Sequence, residues 1–239
     1  MLKACEDITQ NGSVYNARIF TSRQAYKALP NPPVLYRADS GAQALLCDGV
    51  LTLDGVGFDI DELRQFVEWC GCKSVICTGA VAGRLALSGE YNRYTVMRYN
   101  GGVPAVGEGV CTQPKLDDVY TLLKATFENM AGLSFDSWYS DISLKMRRGL
   151  AMVYAVYEGT ELCATAGVNY QNDITSVIGS VATAKQWRGR GFAARLINSL
   201  LRAVPQGKTV QIICQNEGAM LLYTRLGFEA VEEYVEIGR

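Results

Sequence analysis

The residues best suited to chemistry in this sequence form a short loop rich in glycine and arginine. Gly189 and Gly191 flank Arg190, and Lys185 and Arg188 come just before them. Glycine lets the backbone approach a ligand closely, and the basic side chains attract negative charge. A helix is predicted directly after Gly191, with no Ser, Thr, Asp or Asn in place to cap its first N–H groups. The loop therefore predicts a binding site for a diphosphate group.

Regular elements on both sides must hold this loop. Residues 174–183 are apolar and rich in β-branched side chains, which predicts a buried strand. Residues 192–204 repeat apolar side chains at helical spacing, which predicts a helix with one buried stripe. Arginines at an exposed turn are usually just solvated, but the adjacent glycines and the uncapped helix favour ligand binding. Residues 209–214 are predicted to form the next strand, and residues 216–226 the next helix.

This pattern resembles the acetyl-CoA signature of the GCN5-related N-acetyltransferase (GNAT) family. The signature reads Gln/Arg-x-x-Gly-x-Gly/Ala, and Gln186, Gly189 and Gly191 stand at its three defining places. The segment Tyr-Thr-Arg-Leu-Gly-Phe at residues 223–228 is similar to the family's Tyr-x-x-x-Gly-Phe ending. The resemblance covers roughly the C-terminal half of the chain. It implies an α/β (α+β) fold with a mixed, mostly antiparallel sheet flanked by helices.

The resemblance also implies a set of residues for acetyl-CoA. In the family, the strand before the loop ends in a bulge whose free main-chain groups pair with the pantetheine arm; here these would be Val181, Ala182 and Thr183. Tyr223 matches the tyrosine that protonates the departing thiolate, although its position beside an apolar stripe is also typical of a core residue. Asn216 is either a ligand-facing group or a helix N-cap. The other implied cofactor-binding residues are Gln186, Trp187, Arg188, Gly189, Arg190, Gly191, Phe192 and Ala193.

The acceptor side is less well defined. The resemblance implies that two helices, predicted over residues 115–128 and 135–149, wall the acceptor site, which makes Trp138, Tyr139 and Asp141 candidate contacts or ordinary packing residues. The sequence contains no histidine, so the general base is left unassigned. A chain of waters would serve, or one of the carboxylates of Glu128, Asp136, Asp141 and Asp173.

Composition excludes several function classes. Of 239 residues, 49% are hydrophobic and 20% charged, which is typical of a globular protein, and the net charge of −1 argues against a general nucleic-acid binder. We find no apolar run of membrane-spanning length and no apolar signal core at the start, so we expect a cytoplasmic protein without a membrane partner. The eight scattered cysteines predict reduced, buried thiols and no metal site. A redox or metal role for Cys70 and Cys72 stays an alternative, and a homodimer stays open.

The N-terminal half repeats the predicted order of elements in the C-terminal half, β-β-α-β-α-β. We therefore predict a tandem GNAT-like fold with a degenerate domain at residues 1–108 and a GNAT domain at residues 109–239; the alternative is an unrelated α/β packing domain. A short helix is predicted over residues 22–29. The predicted strands of the repeat are 34–37, 42–53, 74–78 and 94–99, and its helices are 59–70 and 80–87.

The corresponding loop of the first half carries the opposite charge. It also has two glycines, Gly55 and Gly57, but acidic residues surround them. Asp59 and Glu62 have the spacing of a capping box, which would satisfy the helix N–H groups internally. We expect no diphosphate site in the first half.

These observations predict an N-acetyltransferase that moves the acetyl group of acetyl-CoA to a primary amine. The acceptor is open among small amines, amino acids, antibiotics and protein N-termini. One alternative is a non-catalytic sensor or structural protein that binds acetyl-CoA or a longer acyl-CoA. Residues 189–194 also fit the dinucleotide pattern Gly-x-Gly-x-x-Ala, but the glycines lie too far from the preceding strand and no acidic residue ends the next one.

Overall fold

The computed structural model describes residues 1–105 and 107–239 and contains one sheet of eleven strands. The order across the sheet is β1-β2-β3-β4-β5-β11-β6-β10-β9-β8-β7. The strands are β1 (Lys3–Cys5), β2 (Val34–Arg37), β3 (Gln43–Cys47), β4 (Val50–Asp54), β5 (Ser74–Thr78), β6 (Glu90–Tyr99), β7 (Met152–Glu158), β8 (Glu161–Gln171), β9 (Thr175–Thr183), β10 (Thr209–Cys214) and β11 (Phe228–Gly238). The helices are α1 (Val14–Tyr26), α2 (Ile60–Cys70), α3 (Gly79–Leu85), α4 (Leu116–Thr126), α5 (Phe135–Arg147), α6 (Phe192–Ala203) and α7 (Glu217–Arg225).

The predicted fold class is confirmed. Only the pairs β4–β5 and β9–β10 are parallel, and the remaining strand pairs are antiparallel. Helices cover both faces. Buried side chains of α2, α3, α6 and α7 pack on one face. Buried side chains of α1 and α4 pack on the other, together with partly buried side chains of α5.

The two halves interlock through their last strands. β6, from the first half, pairs with β10, whereas β11, from the second half, pairs with β5. β6 and β11 also pair with each other at the centre of the sheet. The order is therefore β2-β3-β4-β5-β11 on one side and β7-β8-β9-β10-β6 on the other, so each half completes the sheet of its counterpart. The predicted division at residue 108 falls between β6 and α4, and the assignment of two domains on either side of it stays a prediction.

Three elements differ from the sequence predictions, and two of these differences have local causes. The segment predicted as one strand over residues 42–53 is a hairpin of β3 and β4, because Asp48 and Gly49 adopt φ values of 48° and 75° at the turn. This correction makes the repeat β-β-β-α-β-α-β in both halves. The helix predicted over residues 22–29 is α1, which begins earlier because the Ser13 side chain accepts a hydrogen bond from the Asn16 N–H at 2.9 Å. β1 was not predicted.

The interlocked strands lead to a testable prediction about residues 1–108 and 109–239. Expressed alone, each part lacks the strand that pairs with its β5 or β10, so we expect weak circular dichroism and no cooperative unfolding. Mixed at equal concentrations, the two parts should form a 1:1 complex with the melting transition of the intact chain. Two separately folded, non-associating parts on gel filtration would contradict the interlocked sheet.

Candidate active site

The central feature of the site is the separation of two parallel strands. β9 and β10 are paired from Thr175 and Thr209 as far as Ile178 and Ile212, and they part beyond this point. Residues 179–183 of β9 therefore have an edge without a strand partner, which we call the open edge. Unpaired backbone groups along such an edge can bind an extended chain as an added strand.

A bulge shapes the open edge. Gly179 and Ala182 of β9 stand opposite Gly167 and Thr165 of β8, so β9 contains one extra residue here. Ser180, with φ of 53°, lies within it. The bulge expected for this strand is thus confirmed.

The main chain of Thr183 faces the open edge. The Ala184 N–H donates to the Cys163 carbonyl of β8 at 2.9 Å, and because backbone groups alternate along a strand, those of Thr183 point the other way. The Thr183 carbonyl accepts a hydrogen bond from Arg188 Nε at 3.2 Å. The Ala182 side chain is buried against α4, and Val181 packs partly buried toward α6.

The glycine loop, residues 185–191, connects the open edge to α6. Gly189 and Gly191 have φ values of 76° and 80°, and a Cβ at either position would meet no atom within 4 Å. Gly191 precedes α6 and provides no side-chain cap. The first N–H groups of α6, those of Phe192, Ala193 and Ala194, have no intrahelical acceptor. Because these donors lie beside open space and basic side chains, the loop fits a diphosphate group.

Glu161 organises the glycine loop from β8, a role that the sequence analysis missed. Its carboxylate accepts hydrogen bonds from Gln186 Nε2 at 2.6 Å and from Trp187 Nε1 at 2.9 Å. These two donors, Trp187 above all, lower the pKa of Glu161. The Arg190 guanidinium lies 4.5 Å from the centroid of the Trp187 ring. The Gln186 and Trp187 side chains thus fix the loop. A lone glutamate far from the motif gave no sequence signal.

Tyr223 lies in α7 and is 5% exposed, packed against Phe228 with a ring-centroid distance of 6.1 Å. Burial raises the pKa of its phenol, and the neighbouring Cys214 thiol adds to this effect. In the described part of the chain its hydroxyl forms no hydrogen bond, and it is not one of the fully enclosed polar atoms. Tyr223 is therefore a core residue whose protonated hydroxyl is unpaired among the described residues. Its position fits both alternatives that the sequence left open, a packing residue and a proton donor.

Other predicted residues have mainly structural positions. Asn216 is the N-cap of α7 and accepts a hydrogen bond from the Ala219 N–H at 2.7 Å. The Phe192 ring is buried, so its main-chain N–H is what it offers to a ligand. Ala193 is half-buried in the first turn of α6.

The matching region of the first half cannot accept an anion in the same way. The N-cap of α2 is Asp59, whose side chain accepts a hydrogen bond from the Glu62 N–H at 3.0 Å. The expected capping box is only half formed, because the Glu62 carboxylate accepts from the Leu2 N–H instead of the Asp59 N–H. At the end of β4, the buried Asp54 carboxylate accepts hydrogen bonds from Asn11, Ser13 and Asn16 at 2.6–2.8 Å.

The candidate acceptor residues lie on α5 in different surroundings. Asp141 accepts hydrogen bonds from Lys145, at 2.8 Å, and from the Tyr26 hydroxyl. The Trp138 ring packs 5.6 Å from that of Tyr120, while Tyr139 is 44% exposed. Of the candidate bases, Asp173 precedes β9 at the end opposite the open edge and accepts from Gln10 at 2.7 Å.

Comparison with known proteins decides the family. Residues 116–228 match the family model described as the acetyltransferase (GNAT) family. The second half of the chain belongs to the GNAT family. This makes it an acetyltransferase domain, and acetyl-CoA is the donor typical of the family. Among curated proteins, no significant match was found.

Solved structures extend the likeness to almost the whole chain. A GCN5-related N-acetyltransferase from Kribbella flavida has a TM-score of 0.61 at 18% identity, covering 93% of this chain and 94% of its own. A tandem GNAT protein from the clavulanic acid biosynthesis pathway, determined without acetyl-CoA, has a TM-score of 0.60 at 15% identity, covering 95% and 88%. A GCN5-related N-acetyltransferase from Sphaerobacter thermophilus has a TM-score of 0.56 at 19% identity, covering 93% and 90%. These likenesses show the fold, which is that of a tandem GNAT protein.

Within residues 1–105 and 107–239, none of the helices has both the length and the apolar character of a membrane span. The same residues contain no group of three or more His, Cys, Asp and Glu side chains arranged to hold a metal ion.

The contacts of Glu161 predict its effect on the glycine loop. Glu161→Ala removes both hydrogen bonds that fix Gln186 and Trp187, so we expect acetyl-CoA affinity to fall about 3–10-fold. Glu158→Ala, in the same hairpin, is the control and should leave calorimetric affinity unchanged. Because the pKa of Glu161 is lowered, its carboxylate stays charged at neutral pH, and its effect should persist to a pH below the range in which glutamates ordinarily titrate. Equal affinities for the two variants would contradict this role.

Proposed function

We propose that this GNAT chain transfers the acetyl group of acetyl-CoA to a primary amine. The observation that carries the proposal is the direct continuation of the open edge of β9 into the uncapped N-terminus of α6. This arrangement is complementary to a long ligand with amide groups at one end and a diphosphate at the other. The first half has the same strands, but there Asp59 caps the helix that follows them, and the Asp54 carboxylate lies at the end of β4.

In this proposal, the main-chain groups of Val181 and Thr183 pair with the pantetheine amides and position the thioester carbonyl. Those of Ala182, which stands opposite Thr165, face β8, so Ala182 contributes only its place in the strand. The N–H groups of Phe192 and Ala193 bind the diphosphate, supported by the backbone of Gly189 and Gly191. Arg188 and Arg190 contribute positive charge at the same end. Gln186 and Trp187 act indirectly, because Glu161 uses their side chains to fix the loop.

Acetyl-CoA supplies an activated thioester, and the chain must supply orientation and protons. Tyr223 is the proposed acid. Its raised pKa keeps the phenol protonated at neutral pH, so it can donate a hydrogen bond or a proton to the departing sulfur. With no histidine in the sequence, we propose that water carries the proton from the acceptor amine to solvent. The eight free cysteines support a reducing compartment, so we propose a cytoplasmic location.

The diphosphate site can be tested with Gly191→Asp. This substitution places a carboxylate at the N-terminus of α6, so we expect calorimetric affinity for acetyl-CoA to fall at least about 100-fold through charge repulsion. Gly207→Asp is a matched control, because Gly207 also has a positive φ, of 90°, and open space around it.

The control should bind acetyl-CoA as the unaltered chain does, and NAD should give no heat with any of the three proteins. NAD binding comparable with that of acetyl-CoA would favour the dinucleotide alternative. Equal losses in both variants would mean that backbone strain, and not the site, determines the effect.

Tyr223→Phe separates an enzyme from a sensor. We expect acetyl-CoA affinity within about twofold of the unaltered chain but turnover lower by about 10²–10⁴-fold, since only the proton donor is lost. Tyr99→Phe is the control, because the Tyr99 ring packs against the same Phe228, at 5.2 Å, and its hydroxyl bonds to the Gly102 carbonyl. Binding without turnover in every variant and in the unaltered chain would support the sensor.

A further inference from the structure

Arg18 is a cation that the first half of the chain contributes to the second. It lies on α1, which packs between β3 and β4 on one side and β8 and β9 on the other. Its guanidinium lies 5.0 Å from the centroid of the Tyr170 ring on β8 and donates a hydrogen bond to the Tyr170 hydroxyl. Its Nε donates to Thr52 Oγ1 on β4 at 3.3 Å. These contacts fix the guanidinium between the two halves.

The charge of Arg18 is incompletely neutralised. In the described residues no carboxylate oxygen lies within 4.0 Å of its nitrogens. Burial would lower its pKa, but the Tyr170 and Tyr234 phenols and the more distant Glu236 carboxylate raise it, so the group stays charged.

A second cation beside the Tyr170 ring is already paired. Lys145 Nζ lies 5.8 Å from the centroid of the same Tyr170 ring, but it forms a 2.8 Å salt bridge with Asp141. The Nη2 group of Arg18 forms no hydrogen bond within residues 1–105 and 107–239, and it is not among the enclosed unpaired atoms. Arg18 therefore offers an Nη2 group that is unpaired in the described part of the chain, whereas the charge of Lys145 is already paired with Asp141.

Arg18 is linked to the open edge through Tyr170 and its neighbour Asn169. Asn169 and Tyr170 form a second bulge, in β8, since Val168 and Tyr170 stand opposite the consecutive residues Ile178 and Val177. The Asn169 amide lies over Gly179, where a Cβ would collide with it, and accepts a hydrogen bond from the Ser180 hydroxyl at 3.2 Å. The residue that orients Arg18 is thus next in sequence to the residue that covers the start of the open edge.

The face of the sheet identifies what Arg18 can bind. Ile178 packs in the core beneath α6, so Gly179, the next residue of the strand, faces the opposite side. Tyr170 packs in the core beneath α1, on that opposite side. Because α6 and its N–H groups cover the other face, Arg18 is not part of the diphosphate site. It lies on the side that is left for the acceptor.

We propose that Arg18 binds a carboxylate of the acceptor, so that the acceptor is an amino acid or a similar small molecule with an amine and a carboxylate. A guanidinium binds a carboxylate through two parallel N–H···O bonds, which fixes the orientation of the bound molecule as well as holding it. The inference rests on the proposed N-acetyl transfer and deepens it. It also gives the degenerate first half a role, since that half supplies α1.

The test compares L-amino acids with their carboxamides as acceptors, because each pair differs only in the carboxylate. For the unaltered chain we expect kcat/KM to be at least about tenfold higher for the acid of the best pair. Arg18→Gln should raise KM for the acid at least about tenfold, with little effect on kcat or on the amide. Arg18→Lys should restore part of the preference, and acetyl-CoA affinity should stay unchanged in both variants.

Two further variants separate binding from folding. Arg23→Gln alters another arginine of α1, one that donates to the Pro33 carbonyl at 2.8 Å, and should behave as the unaltered chain. If Arg18→Gln does not fold, Tyr170→Phe retains the ring and removes the hydroxyl that orients the guanidinium. It should reduce the preference for the acid without changing acetyl-CoA affinity. A variant of either residue that folds and retains the full preference would overturn the inference.

The inference and the proposed function fail in different ways. Turnover of acids and amides at equal rates would overturn the carboxylate site and leave N-acetyl transfer standing. Absence of turnover with every amine would instead count against the proposed function. In that case, N-acetyl-amino acids are titrated calorimetrically into the CoA-saturated chain. Binding that Arg18→Gln weakens at least about tenfold would support the carboxylate site, and no binding would overturn it.

Discussion

The fold depends on one constraint: two parallel strands that stay paired for four residues and then separate. Where β9 leaves β10, the backbone beyond Ile178 loses its partners on that side, and unpaired backbone groups must find others or face water. The bulge at Ser180 and the glycine loop follow directly from this departure. The same separation produces both the slot that fits the pantetheine arm and the helix terminus that fits the diphosphate. In the proposed function, one geometry thus serves both the folding of the strands and the binding of the donor.

The two halves share one framework and differ where the proposed ligand would bind. In the first half, β4 and β5 are paired in parallel from Val50 and Ser74 over three residues, and the helix that follows β4 again begins after two glycines. There, side chains of the protein itself occupy the polar groups. The Asp59 side chain caps α2, and Asn11, Ser13 and Asn16 donate hydrogen bonds to the Asp54 carboxylate. The exchange of β6 and β11 makes this half indispensable to the sheet, and α1 carries Arg18 to the other half.

Local patterns in the sequence predicted most of this arrangement. The uncapped helix after Gly191 and the capping aspartate before α2 depend on a few neighbouring residues, so propensity and spacing were sufficient. The β3–β4 hairpin was missed although Asp48-Gly49 is a strong turn signal, because an apolar run on both sides suggested one strand. The contacts of Glu161 and Arg18 join residues at least 25 and 34 positions apart, and no local pattern encodes them. The exchange of last strands is equally non-local, since β6 and β11 read as ordinary strands in either arrangement.

The most direct test of the central claim is amide hydrogen exchange with and without saturating acetyl-CoA. The account predicts slower exchange over residues 181–194, where the open edge continues into α6, and unchanged exchange over residues 54–62, the matching region of the first half. Such a result would locate the donor on one half only. Protection over residues 54–62, or over neither segment despite bound acetyl-CoA, would contradict the account.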